Sequence, residues 1–131
     1  MYLFIDTNKK EKIELILKDK FSDLIIEKEY IIDNKESENI LNYINDFLSK
    51  NNIIHKNIKG IIVVNGPGIN LNFKVGIVIV NTMGYLLDIP IASVSEDEFK
   101  NYEEFIEIGL YKIQKEKKYK PIKPIYKYKN W

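Results

Sequence analysis

The 131-residue sequence contains no cysteine, no arginine and one histidine, His55. The lack of cysteine excludes disulfides, thiolate catalysis and cysteine-ligated zinc, and a single histidine cannot form a histidine-rich metal site. No apolar run approaches the length of a membrane span, and the N-terminus has neither the basic start nor the cleavage site of a secretory signal. We therefore expect a cytoplasmic protein that does not enter a membrane, and we expect His55 to be a solvated surface residue.

Apolar residues and lysine, by contrast, are abundant. With 45% hydrophobic residues, a chain of this length can bury one core. Residues 1–114 carry 13 lysines against 18 acidic residues, whereas residues 115–131 carry seven lysines against one glutamate. We therefore expect one domain, composed of a lobe over residues 1–95 and a C-terminal helix with an extended basic and aromatic tail, residues 96–131, packed on it.

Five short segments are rich in β-branched residues and are predicted to be strands: residues 2–5, 12–17, 24–32, 58–64 and 89–94. The first three alternate apolar and polar residues or form short apolar runs, and only turn-prone segments separate them. This spacing predicts antiparallel pairing of the first three strands.

Two helices are predicted in the middle of the chain. The first follows a capping-box pattern, Asp33 with Glu36 three residues later, and has apolar residues at helical spacing from Ile40 to Leu48. The second, residues 71–87, is longer than an ordinary strand. It is apolar on most sides, so it must be covered on more than one side.

A third helix is predicted to begin at Ser95, which would act as its N-cap. The acidic residues lie in its first half and Lys112 and Lys115 lie near its end, an order that suits the helix dipole. Its apolar face would consist of Phe99, Tyr102, Ile106 and Ile113.

Four stretches, in this order, resemble the TsaB family, also called YeaZ. Asp6-Thr7 after the first strand resembles the family's "IDT", and residues 37–41 resemble the start of its "HSExLL" helix. The glycine turn at residues 65–68 with Lys74-Val75-Gly76 resembles "GPGSFTGxRIG", and residues 89–95 resemble the "xPxxxVS" strand. The resemblance covers residues 1–95, and residues 123–126 also resemble the "EPxYLR" ending; the family's second lobe is missing between them.

The resemblance implies an α/β fold of the ribonuclease H-like, actin-like type. The expected architecture is a single lobe with a five-stranded mixed sheet, three strands antiparallel and two parallel, covered by helices. It also implies a non-catalytic dimerisation subunit of the machinery that makes threonylcarbamoyladenosine beside the tRNA anticodon. Its partner would be a TsaD-like transferase, with a TsaE-like ATPase as a further partner, and the tRNA would be contacted indirectly.

The partner surface that the resemblance implies lies on the first two helices. In the family these helices dock the catalytic subunit. The residues that we expect to contact the partner are Leu41, Asn42, Asn45, Lys74, Val78, Asn81 and Thr82. A homodimer through the same helices is the alternative.

A nucleotide site at the glycine turn is a second hypothesis. It would use Asp6, Thr7 and the turn Asn65-Gly66-Pro67-Gly68, since backbone N–H groups at a helix N-terminus can bind phosphate. The chain has Ile69-Asn70-Leu71-Asn72 where the family has Ser-Phe-Thr-Gly, so the hydroxyl groups that would help to bind an anion are absent. We favour a structural role for Asp6, with its oxygens bonding the following turn, and we expect no intrinsic cofactor, with ATP or ADP only at a partner interface.

The basic tail permits two interpretations. Lysines alternating with aromatic residues can bind phosphates and stack on bases, which would make RNA contacts of Lys117, Lys118, Lys120, Lys127, Tyr128 and Lys129. In the other interpretation, which we favour, the tail adds an extended segment to the domain and its lysines are solvated.

Overall fold

A five-stranded mixed sheet, in the order β3-β2-β1-β4-β5, forms the centre of the protein. The computed structural model describes residues 1–32 and 34–127. Its strands are β1 Tyr2–Asp6, β2 Lys12–Lys18, β3 Ile25–Ile31, β4 Gly60–Val64 and β5 Ile91–Val94. The pairs β1–β2 and β2–β3 are antiparallel, and β1–β4 and β4–β5 are parallel. The expected sheet of three antiparallel and two parallel strands is confirmed.

The three α-helices of the described chain are α1 Ile40–Lys50, α2 Leu71–Leu87 and α3 Tyr102–Ile113. The prediction of a helix over residues 71–87 is confirmed. A 3₁₀ segment, Asn34–Asn39, precedes α1, so the regular helix begins later than the capping-box pattern indicates. Asp33 of that pattern lies outside the described residues. Within the described chain, no helix is long and apolar enough to cross a membrane.

The helices cover both faces of the sheet. Because side chains alternate along a strand, Leu3 and Ile5 of β1 belong to the core under α1 and α2, while Phe4 belongs to the core under α3. Helix α2 lies close to the end of β1: a Cβ atom at Gly76 would be 2.0 Å from the Thr7 hydroxyl oxygen. Glycine at this position lets the helix approach the sheet.

The predicted start of the third helix at Ser95 is wrong. Ser95 caps only the single 3₁₀ turn Glu96–Glu98: its hydroxyl accepts from the N–H of Asp97, and its own N–H donates to the Glu98 carboxylate. The turn ends at Phe99, which is extended and packs its ring on Phe105 at a centroid distance of 5.0 Å. Asn101 then caps α3 by accepting from the N–H of Glu104 at 2.9 Å.

After α3 the chain returns along α2 as an extended tail. Asn81 on α2 holds this tail with two hydrogen bonds to Ile122: its amide nitrogen donates to the Ile122 carbonyl at 3.0 Å, and its amide oxygen accepts from the Ile122 N–H at 2.7 Å. The Ile122 side chain is buried in the core under α1 and α2. Residues 96–127 therefore contact the lobe, while the domain boundary at residue 95 stays a prediction.

We predict that Asn81→Ala lowers the free energy of unfolding by about 1–3 kcal/mol, because both polar groups of Ile122 lose their partners. Urea unfolding monitored by circular dichroism measures the change. Asn42→Ala on α1 is the matched control, since Asn42 is exposed and alanine only improves helix propensity there. Equal effects of the two substitutions would contradict a stabilising role of the Asn81 contact.

Candidate functional site

An apolar groove lies between α1 and α2 on the outer surface of the domain. It has a volume of about 300 Å³. Several of its side chains are well exposed, with exposed fractions of 43% for Leu41, 63% for Val78 and 72% for Leu86. The residues that line it are Leu41, Asn45, His55, Val78, Ile79, Thr82, Met83 and Leu86. The covered face of α2 rests on the sheet, so this outer face is the second apolar side of the helix.

Four of the seven residues expected at the partner surface line this groove: Leu41, Asn45, Val78 and Thr82. Asn42 and Lys74 are exposed on the same two helices but outside the lining. Asn81 faces the tail instead, where it bonds Ile122. None of these placements tests binding, so the partner contacts stay predictions.

Four residues that were not expected at the partner surface also line this groove: His55, Ile79, Met83 and Leu86. Leu86 is among the most exposed apolar side chains of α2, and His55 lines the groove from the segment before β4. Leu86 follows Val78 and Thr82 at the helical spacing of four residues, a signal that could have identified it. The position of His55 depends on the fold of the loop after α1, which no local pattern indicates.

The glycine loop, residues 65–70, is covered by the chain's own tail. The Ile125 N–H donates to the Asn65 carbonyl at 2.8 Å, and the Gly68 N–H donates to the Ile125 carbonyl at 2.9 Å. Gly66 has a φ of 117°, and a Cβ there would lie 2.2 Å from the Ile125 oxygen. The N–H group of Gly68 that would face a phosphate is thus engaged by the tail.

Asp6 is also engaged, although it lies at the end of β1 where the nucleotide hypothesis places it. Its carboxylate is 2% exposed and accepts from the Asn8 N–H and from the Tyr102 hydroxyl, each at 2.8 Å. Burial raises the pKa of Asp6, and these two hydrogen bonds oppose the rise. The pKa of Tyr102 is raised as well, first by burial and then by the neighbouring Asp6 charge.

The residues around Asp6 form a connected polar cluster. The Asn8 amide nitrogen donates to the Pro67 carbonyl at 3.1 Å and to the Glu96 carboxylate, which also pairs with Lys9 at 3.3 Å. Within the described part of the protein, the Thr7 hydroxyl has no hydrogen-bond partner. Among the same residues, no group of three acidic or histidine side chains is arranged to hold a metal ion. The cluster joins β1, the glycine loop and the segment before α3, which is a structural role.

The tail lysines that were expected to contact RNA are spread along the surface. Lys117 and Lys118 are exposed just after α3, Lys120 lines a separate cavity beside β5, and Lys127 donates its backbone N–H to the Gly68 carbonyl at 2.8 Å. Tyr128 and Lys129 lie outside the described residues. RNA contact by these residues stays a prediction.

Comparison with known proteins identifies the family to which the chain belongs. The family model described as "TsaD: tRNA N6-adenosine threonylcarbamoyltransferase" matches residues 30–110. The chain belongs to the TsaD family. The match covers α1, the groove, the glycine loop and most of α3, so the TsaD-type region contains the surfaces described above.

Solved structures show that the fold is that of YeaZ. The chain is similar to YeaZ from Pseudomonas aeruginosa, with a TM-score of 0.63 and 20% sequence identity over 72% of this chain and 43% of that chain. A second structure from Pseudomonas aeruginosa, described as an uncharacterized protein with similarity to peptidase YEAZ, gives the same TM-score and identity over 72% of this chain and 42% of that chain. No curated protein matches. These comparisons bear out the resemblance to the TsaB/YeaZ family, and the chain spans less than half the length of these relatives.

We predict that Tyr102→Phe lowers the free energy of unfolding by about 1–3 kcal/mol at pH 7, because a buried carboxylate loses one of its two donors. The pKa of Asp6 should then rise further. A further rise of the folded-state pKa of Asp6 lowers the stability of the protein at pH values above that pKa and has no effect at pH values below the pKa of Asp6 in the unfolded chain. The loss of stability caused by the substitution should therefore be smaller at pH 3 than at pH 7. Urea unfolding at both pH values measures it.

Tyr111→Phe is the control for this prediction, because Tyr111 is an exposed tyrosine on the same helix that bonds only Lys115. We expect it to change stability by less than about 0.5 kcal/mol at either pH. A loss for Tyr102→Phe that is the same at pH 3 and pH 7 would show that the hydroxyl does not act through the Asp6 carboxylate.

Proposed function

We propose that this protein is a non-catalytic subunit that docks a TsaD-like transferase through the groove between α1 and α2 and supports threonylcarbamoyl modification of tRNA in the cytoplasm. The observation that carries the proposal is the exposed apolar surface formed by Leu41, Val78 and Leu86. Contiguous apolar surface of this kind marks protein interaction sites in soluble proteins. Membership in the TsaD family and the YeaZ fold support the identity of the partner.

The chemistry of the surface suits a protein partner. The exposed positions of α2 combine apolar side chains with Thr82, which lines the groove between Val78 and Leu86, and with Lys74, which lies outside the lining. The Thr82 hydroxyl donates to the Val78 carbonyl at 2.8 Å, so it is already satisfied and adds little polarity to the groove. An apolar centre with a polar margin is the usual composition of a docking surface.

The state of the glycine loop supports a non-catalytic role. The Gly68 N–H is bonded to Ile125 and the Asp6 carboxylate is bonded to Tyr102 and Asn8, so the groups that would bind a phosphate or a metal ion are used within the chain. The subunit would act by differential binding, stabilising the active conformation of the transferase without contacting the transferred group. ATP or ADP would enter only at a partner interface, where a TsaE-like ATPase is a further partner.

Size-exclusion chromatography with light scattering tests the proposal, on the chain alone and after mixing with the TsaD-like protein of the same organism. We expect a one-to-one complex that Val78→Asp abolishes. An unpaired buried charge costs about 3–5 kcal/mol, so the Kd should rise roughly a hundredfold or more. Leu24→Asp is the matched control, since Leu24 has the same exposed fraction of 63% and lies before β3, away from the groove.

Two outcomes would contradict the proposal. The first is a complex that survives Val78→Asp, since the groove would then not be the contact. The second is a chain that forms a homodimer, loses it on Val78→Asp and does not bind the transferase, since the groove would then serve self-association.

A further inference from the structure

A second concave site lies between the edge strand β5, the end of α3 and the extended tail. The cavity has a volume of about 430 Å³ and shares no lining residue with the groove. This volume is within the range of about 300–1,000 Å³ that is usual for small-molecule sites. The tail forms one wall of this cavity, and the two hydrogen bonds between Asn81 and Ile122 hold the tail in place.

The charge of this cavity is strongly positive. Four lysines line it, Lys112, Lys115, Lys120 and Lys123, against one carboxylate of the described residues, that of Glu116. Lys112 is held by the Glu98 carboxylate at 2.7 Å and by the Ser93 carbonyl at 3.1 Å. In the described part of the chain, Lys120 and Lys123 make no ion pair. These two tail lysines are therefore available to an anionic ligand.

The opposite wall adds neutral donors. Strand β5 pairs with β4 on one side only, so the backbone groups of alternate residues point away from the sheet. The Ser93 carbonyl points outward to Lys112, and the N–H of the same residue therefore also points outward. Ser93 lines the cavity, and its hydroxyl makes no hydrogen bond within the described residues. Donors thus approach from the strand and from the tail, an arrangement that suits an anion with several acceptor oxygens, such as a phosphate.

The remaining lining is apolar. Ile91, Ala92, Pro121 and Ile122 contribute to the cavity, and Ile91 and Ile122 are nearly buried. Small-molecule sites combine such apolar walls with a few polar groups that fix orientation. A ligand that fits has a phosphate at the lysine side and a flat or apolar part against these residues.

We propose that this cavity binds a small phosphorylated molecule of the size of a nucleoside monophosphate, with Lys120, Lys123 and the Ser93 edge holding the phosphate. The site is independent of the docking groove, and it differs from the glycine loop, whose Gly68 N–H is bonded to the tail. It assigns Lys120 a role in a defined cavity, whereas Lys117 and Lys118 lie outside the lining.

Titration of the full chain with AMP tests the proposal, with chemical-shift changes in two-dimensional NMR as the readout. We expect saturable shifts at β5 and the tail for AMP, weaker binding of inorganic phosphate, and no binding of adenosine. The double variant Lys120→Gln and Lys123→Gln should raise the Kd of AMP at least tenfold. The matched control, Lys117→Gln with Lys118→Gln, removes the same charge outside the cavity and should change the Kd less than twofold.

Three outcomes would overturn the proposal. AMP could fail to shift the β5 and tail signals at millimolar concentration, or adenosine could bind as well as AMP. The two double variants could weaken AMP binding equally, which would assign the effect to the general charge of the tail. The third outcome concerns an RNA oligonucleotide, titrated in the same way. If the RNA binds more tightly than AMP, and its binding depends on Lys117 and Lys118 as much as on Lys120 and Lys123, the lysines form an RNA-binding surface and the cavity is not a ligand site.

Discussion

The backbone of the tail must satisfy its hydrogen bonds after it leaves α3, and this constraint organises much of the molecule. Buried backbone groups almost always have partners. The tail finds them at Asn81 on α2 and at Asn65 and Gly68 of the glycine loop. One segment therefore fixes α2 against the sheet, closes the end of β4 and provides a wall of the basic cavity. The proposed docking groove lies on a surface that this path leaves open.

Helix α2 illustrates how one apolar segment meets three environments. Its inner face, with Phe73, Ile77 and Val80, packs in the core. Asn81 faces the tail, and Val78 and Leu86 face solvent in the groove. The tail and the sheet cover most of the circumference of this helix, which leaves a narrow apolar strip exposed to solvent.

The sequence predicted most of the fold because the signals for it were local. A 17-residue apolar segment at 71–87 exceeds the usual length of a strand, so its helical state could be inferred from length alone. The start of α3 was predicted wrongly because the Ser95 and Glu98 pattern caps a single turn as well as a helix. In the structure the chain is extended at Phe99, whose ring packs on Phe105, and Asn101 caps α3 instead.

The site could be predicted only in part for the same reason. Leu41 and Val78 are apolar residues on neighbouring helices, and the resemblance to the TsaB family implied that these two helices dock a partner. The contacts of Asn81 with Ile122 and of Tyr102 with Asp6 join residues 41 and 96 positions apart, so no sequence pattern indicates them. A polar residue on an apolar helix is naturally assigned to the surface, and Asn81 shows that it can instead be the anchor of a distant segment.

The position of Ile125 over Gly68 has a consequence for competition. The Ile125 carbonyl belongs to the same chain, so it is present at the glycine loop at an effective concentration that for short tethers is in the millimolar range. An external ligand that needs the Gly68 N–H must displace this internal one. The tail thus occupies the glycine loop, and a ligand that binds there would require the release of Ile125 from Gly68.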